Sequence, residues 1–354
     1  MPSGANGTLP AQRTIPQKVT GTPTGPILYV WNGTEYSQGG GVAVYADAGS
    51  TLLRTIGPPN SGDIFDDMTA DPSGHLFLAF HLLNDGPHGP GDLNIYWRRG
   101  TRVVQRLKQT HPFGLPILDS SENLNTMCAP GRVCTYAASG DQRVVKQDVI
   151  RRIALGKISP YYKGAHDFSV DISADLAINR GGVVQIFAPG QTEPYWQISP
   201  QTLDGMTSTA FDSKGDLYLA MRCVEPGYDG GVAEYAPNTN KYPIRILSTL
   251  DGVVCPEKLA IDASDNLYVL GGYTQSNVTV FPPTSNTPIR TMTEGLVNAQ
   301  SHTMILDALG DVYVSNGGYG SDPGNVVVYP PGESVPIRTV TQGVHNPLKL
   351  AAGP

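Results

Sequence analysis

Leu267-Tyr268-Val269, then Val278-Thr279-Val280-Phe281, then Pro288-Ile289-Arg290-Thr291 are three short apolar phrases separated by turn formers. β-Branched and aromatic residues at alternate positions, bounded by Gly, Pro, Asn and Ser, read as strands of an antiparallel meander. The phrases recur downstream as Val312-Tyr313-Val314, Val326-Val327-Val328-Tyr329 and Pro336-Ile337-Arg338-Thr339. Upstream they recur as Leu217-Tyr218-Leu219, Val232-Ala233-Glu234-Tyr235 and Pro243-Ile244-Arg245-Ile246. The V-x-V-Y phrase can be placed seven times, beginning near residues 42, 93, 143, 183, 232, 278 and 326, at intervals of 40 to 51 residues. Such a period is that of one four-stranded blade of a β-propeller.

A fourth strand precedes each L-Y-V phrase, as in Leu259-Ala260-Ile261-Asp262 and Met304-Ile305-Leu306-Asp307. Each ends on Asp before a tight turn such as Ser213-Lys214-Gly215-Asp216. Asp there bonds the backbone two residues on, and Gly takes the positive φ. Asp71, Asp171, Asp212, Asp262 and Asp307 therefore read as turn residues rather than a metal array. Blade one begins at Ile27-Leu28-Tyr29-Val30 with no inner strand before it, while Pro347-Leu348-Lys349-Leu350-Ala351 matches Pro256-Glu257-Lys258-Leu259-Ala260. The expectation is an all-β, seven-bladed propeller over 27–354, closed by the C-terminal strand joining blade one so that no sheet edge is left open at the seam. Blade three, placed at 123–153 with Cys128 in the turn position, is the most degenerate.

These repeats resemble NHL-type propeller repeats, and blade count and length are similar to the streptogramin (virginiamycin B) lyase family. The resemblance implies the fold first. In that family a His stands at the channel mouth in a Pro-His-Gly phrase; His302 in Gln300-Ser301-His302-Thr303-Met304 and His166 in Ala165-His166-Asp167-Phe168 are the matching residues here, without the flanking Pro and Gly. Glu257, Asn123 and Asp66 are of the types with which gluconolactonase-like propellers, which have six blades, hold calcium.

Composition agrees with an all-β chain. Of 354 residues only 16% are charged, while Gly (41) and Pro (30) are abundant. A net charge of −7 argues against a binder of nucleic-acid backbone, and no run of 18 apolar residues offers a membrane span. Residues 1–26 are rich in Pro, Gly, Thr and Ser and read as a flexible leader, either left after removal of an export signal or the loose start of a cytosolic protein. Cys128 and Cys134 flank a turn, and Cys223 and Cys255 fall on loops of adjacent blades. Two disulfides are expected, with an extracellular or periplasmic location, the alternative being four buried thiols.

Strand direction puts the D-x-x-G turns on one face, the bottom, and the long loops on the other, the top, where binding is expected. Five residues before each turn Asp, at the mouth of the inner strand, stand Asp66, Asn123, His166, Thr207, Glu257 and His302, with Leu348 in blade one. A scaffold position would repeat; this one varies, and six of its seven residues are polar. Asp63, Asp67, Asp167, Lys258 and His345 add charge nearby. The ring reads as a ligand site formed by Asp66, Asn123, Thr207, Glu257, Lys258 and His345, the alternative being solvated channel lining. Two functions stay open. One is a monomeric binding propeller for a small molecule, glycan or protein on the top face. The other is a lyase or lactonase-type enzyme, with Asp66, Glu257 and His302 holding a divalent cation (Ca or Mg) and His302 or His166 moving a proton.

Overall fold

A computed structural model of the chain holds seven antiparallel sheets of four strands each. It describes residues 25–354 apart from 34–40, 47–48, 50, 58–62, 83–90, 98–99, 101, 110–113, 130, 139–144, 156–166, 181, 200–204, 222, 224–229, 240–241, 272–275, 298–300 and 318–322. The inner strands of blades two to seven are Asp63–Ala70, Gly114–Leu118, Asp167–Val170, Met206–Phe211, Lys258–Ile261 and Ser301–Leu306. Each packs beside the next, and the ring closes through Pro347–Gly353, the inner strand of blade one. Among the described residues no helix is long and apolar enough to cross a membrane.

Closure is built from both chain ends. Pro347–Gly353 pairs antiparallel with Ile27–Asn32, Val30 opposite Leu350 and Leu28 opposite Ala352. On one side Leu28, Val30 and Tyr45 pack with Tyr313, Val326 and Val340 of blade seven. On the other, Tyr29 and Trp31 pack with Phe65 and Leu76 of blade two, Trp31 stacking on Phe65 at 4.7 Å. Side-chain bonds lock the seam: Asn32 Nδ2 donates to Gly343 O (2.6 Å), Tyr45 Oη to Gln342 O (2.7 Å), and His345 N to Asn32 Oδ1 (3.0 Å). Each fully buried large apolar side chain contributes on the order of 1.5–3 kcal/mol, so the seam is a substantial part of the core.

The turn aspartates behave as their spacing predicts. Asp262 Oδ1 accepts the N–H groups of Ser264 and Asn266, and Oδ2 accepts Asn266 Nδ2 and Tyr268 Oη. Asp71, Asp171, Asp212 and Asp307 make the same backbone bond to the residue four on. Above the turn, the recurring Arg of the outer strand reaches back over the blade. Arg290 donates to Tyr268 Oη (3.0 Å), and Arg245 donates to Glu234, to Tyr218 Oη and to the carbonyls of Pro282 and Ser285 in the next blade. These arginines are internal clamps and inter-blade staples.

Blade three departs from the expected frame. Its inner strand is Gly114–Leu118 and its turn residue is Asp119, whose Oδ1 accepts the N–H groups of Ser121 and Asn123. Cys128 therefore does not stand in for the turn Asp. The third strand is Arg132–Ala138, and the strand expected there from residue 143 is the outer one, Val145–Ala154. Glu122 (φ 60°) occupies the left-handed position that Gly74, Gly215 and Gly310 fill in blades two, five and seven and that Ala174 and Asp265 fill in blades four and six. Both disulfides are present: Cys128–Cys134 bridges the second and third strands of blade three, and Cys223–Cys255 joins top segments of blades five and six.

Candidate functional site: the waist of the central channel

The turn aspartates of the bottom rim find their partners locally. Each turn carboxylate is spent on its own backbone, and the residue four positions on completes the turn. In blades three and six it is Asn123 or Asn266, donating to the Asp Oδ2 at 3.0 and 2.9 Å. In blade two it is His75, with Nδ1 2.6 Å from Asp71 Oδ2. Blades four, five and seven place a second carboxylate there (Asp175, Asp216 and Asp311), and the Asp216 and Asp311 carboxyls are pushed up, first by burial and then by the neighbouring turn Asp.

Higher in the channel the pattern changes. Four residues before each turn Asp, the ring reads Asp67, Leu115, Asp167, Ser208, Lys258 and Thr303, and blade one contributes Lys349 through its match to Lys258. All but the buried Ser208 line a channel cavity of about 440 Å³. Their partners lie on other blades. Asp167 Oδ2 accepts the N–H of Thr209 (2.8 Å) and the hydroxyls of Ser208 and Thr209 (both 3.3 Å) in blade five. Asp167 Oδ1 lies 3.1 Å from Lys258 Nζ in blade six, so one carboxylate from blade four braces two further blades. Lys349 Nζ of blade one stands 3.6 Å from Asp67 Oδ2 of blade two. The two lysine side chains keep 32% and 35% of their surface open to the channel, against 11% and 16% for the carboxylates. Below this charged waist the wall turns apolar, with Ile117, Phe168 and Ile305.

The predicted residues divide as follows. Lys258, Thr207 and Glu257 line the cavity, Glu257 at its exposed upper edge. Thr207 Oγ1 also ties blade five to Pro256 O of blade six at 3.1 Å. Asp66, Thr207 and His302 are each the extra residue where the inner strand loses register with its neighbour, between Phe65/Asp67, Met206/Ser208 and Ser301/Thr303. A bulge of this kind re-aims the side chain that follows it. Asn123 is a correction: it lies in the bottom turn of blade three, not at the mouth, because Asp119 and not Cys128 heads that turn. His345 is exposed at the seam, its N–H on Asn32. His166 and the side chain of His302 lie outside the described residues, as do the leader residues 1–24. Among the described residues no three of His, Cys, Asp and Glu converge as metal ligands.

Sequence reasoning passed over Lys349 and gave Asp67 and Asp167 only as neighbours. The signal was in the chain: Pro-Glu-Lys-Leu-Ala at 256–260 and Pro-Leu-Lys-Leu-Ala at 347–351 repeat a lysine at one ring position. In a strand a step of one residue changes the face, so counting five back rather than four set Asp66 and His302 in place of Asp67 and Thr303, while Thr207 and Glu257 do line the cavity.

No family model matches the chain, and no curated protein matches it. Solved structures match in fold. The C-terminal WD40 domain of Sif2 aligns with a TM-score of 0.57 at 12% identity, over 94% of this chain and 84% of that one. A protein of unknown function from Bacteroides caccae aligns at 0.50 and 11% identity, over 93% and 99%. The chain thus has a seven-bladed propeller architecture with WD40-like structural neighbours. The NHL-type and lyase-like resemblance rests on the repeats alone.

Proposed function

We propose that this protein is an exported binding module, a rigid seven-bladed ring that takes a small ligand into the upper part of its central channel. The charged waist carries the reading. Ring closure does not need Lys258 paired with Asp167 across an intervening blade, or Lys349 beside Asp67; apolar residues of similar volume would close the channel with less desolvation. Instead two partly open ammonium groups and two carboxylates face a space of about 440 Å³, the size of a small-molecule site. Two disulfides, one of them tying the segment just ahead of Glu257 and Lys258 to the neighbouring blade, favour an oxidising compartment.

A thermal-shift screen of charged small metabolites tests this. Some compound should raise the melting temperature of the wild type, and Lys258→Met should abolish that shift without lowering the ligand-free melting temperature by more than a few degrees. Ligands whose shifts persist in both Lys258→Met and Lys349→Met would move the site out of the channel.

A further inference from the structure

The lysines and carboxylates of the waist are not interspersed. Going round the ring, blades six, seven and one present Lys258, Thr303 and Lys349 in succession. Blades two, three and four present Asp67, Leu115 and Asp167. At the waist one arc carries the two lysines and the other the two carboxylates, with Glu257 of blade six above Lys258 at the upper edge, and the two ion pairs mark the places where the arcs meet.

Two of these groups retain capacity. An ammonium has three N–H donors, and among the described residues the contact of Lys258 Nζ is Asp167 Oδ1. Asp67 takes the N–H of Met68 on Oδ1 at 2.8 Å, while its Oδ2 has the Lys349 ammonium at 3.6 Å, outside hydrogen-bond range. Asp167, by contrast, is saturated by blade five and Lys258. Lys258 and Asp67 sit on blades six and two, nearly opposite in a ring of seven. A ligand bound between them meets a donor-rich pole on one side and an acceptor-rich pole on the other, with Ile117, Phe168 and Ile305 below.

We propose that the ligand is a small zwitterion on an apolar body, of the class of free hydrophobic amino acids and dipeptides. Its carboxylate bonds Lys258, and its ammonium bonds Asp67. The proposal rests on the channel being the binding site, as argued above. A purely anionic ligand would face Asp67, Asp167 and Glu257, and a purely cationic one the two lysines. Only a molecule with both charges gains at both poles, because each desolvated charge then finds its opposite.

Titration calorimetry at low ionic strength on the full chain tests the class, with phenylalanine, leucine and the dipeptide Ala-Phe as probes. Beside them go Ala-Phe acetylated at its amine and Ala-Phe amidated at its carboxylate. At least one zwitterion should bind, and each blocked dipeptide should bind at least about tenfold more weakly than its parent. In Lys258→Met the amidated and free forms should bind alike, and in Asp67→Asn the acetylated and free forms should bind alike, which isolates each pole from a general loss of fold. Blocked forms that bind as well as the parent, or no binding of any probe at millimolar concentration, would overturn the zwitterion. A singly charged compound that binds and is lost in Lys258→Met would also overturn it while leaving the channel as a site. Only ligands indifferent to both substitutions would remove the channel as well.

Discussion

The bottom rim and the waist lie a few residues apart on the same inner strands, and they use charge in opposite ways. On the rim, Asp71, Asp119, Asp171, Asp212, Asp262 and Asp307 repeat, and each satisfies its own turn. At the waist the residue type changes from blade to blade, and every carboxylate contact to a lysine crosses to another blade. A polar residue that repeats with the blade has found its partner locally. One that varies draws its partner from the assembled ring, so its role is set by the whole channel.

The largest effect should come from removing what joins the two regions. Deleting 347–354 takes away the strand that carries Lys349, leaves Ile27–Asn32 as an open edge and uncovers the packing of Leu28 and Val30. Cooperative unfolding in urea should be lost. A melting curve like that of the whole chain would mean that the waist does not depend on closure.

Next is the contrast itself. Asp262→Ala strands four donors of a tight turn and should cost about 2–3 kcal/mol by denaturant midpoint. Lys258→Met should cost about 1 kcal/mol or less, because the lysine is one-third exposed and Asp167 keeps its blade-five donors. Equal costs at the two sites would erase the distinction between rim and waist.

The smallest effect sharpens the account of the rim. Asn266 and Asn123 show that Asn fits the last turn position and donates to the turn Asp, where blade seven has Asp311. Burial and then Asp307 raise the Asp311 carboxyl, so the folded state binds its proton more readily than the unfolded one. That contribution favours folding in acid and is lost as pH rises through the raised value. Asp311→Asn should therefore gain up to about 1 kcal/mol at neutral pH, after solvent screening. The gain should shrink on acidification and be gone only below the ordinary carboxylate value of about 3.9. An advantage of the same size in urea melts at both ends of that range would assign it to something other than charge.

The amino-acid sequence by itself determined the seven-bladed ring, its closure by 347–351 and the turn role of the repeated aspartates, and it made the two cysteine pairs the expected ones. The turns and Cys128–Cys134 are local, the ring and its closure rest on repetition, and Cys223–Cys255 follows from the places of its two loops in adjacent blades. A D-x-x-G turn is satisfied within five residues, and a blade period shows up as self-similarity. Blade three escaped because its third strand was set from residue 143, where the outer strand stands, and Asn123 was misplaced with it. What only the tertiary structure decided is which inner-strand residues meet across the channel. Asp167 and Lys258 are separated by 91 positions and Lys349 and Asp67 by most of the chain, and nothing near any of them in sequence reveals the partner. Bulges at Asp66, Thr207 and His302 shift the register by one residue, and because strand side chains alternate with period two, the cavity receives Asp67 and Thr303 after the bulge in blades two and seven but Thr207 at the bulge in blade five.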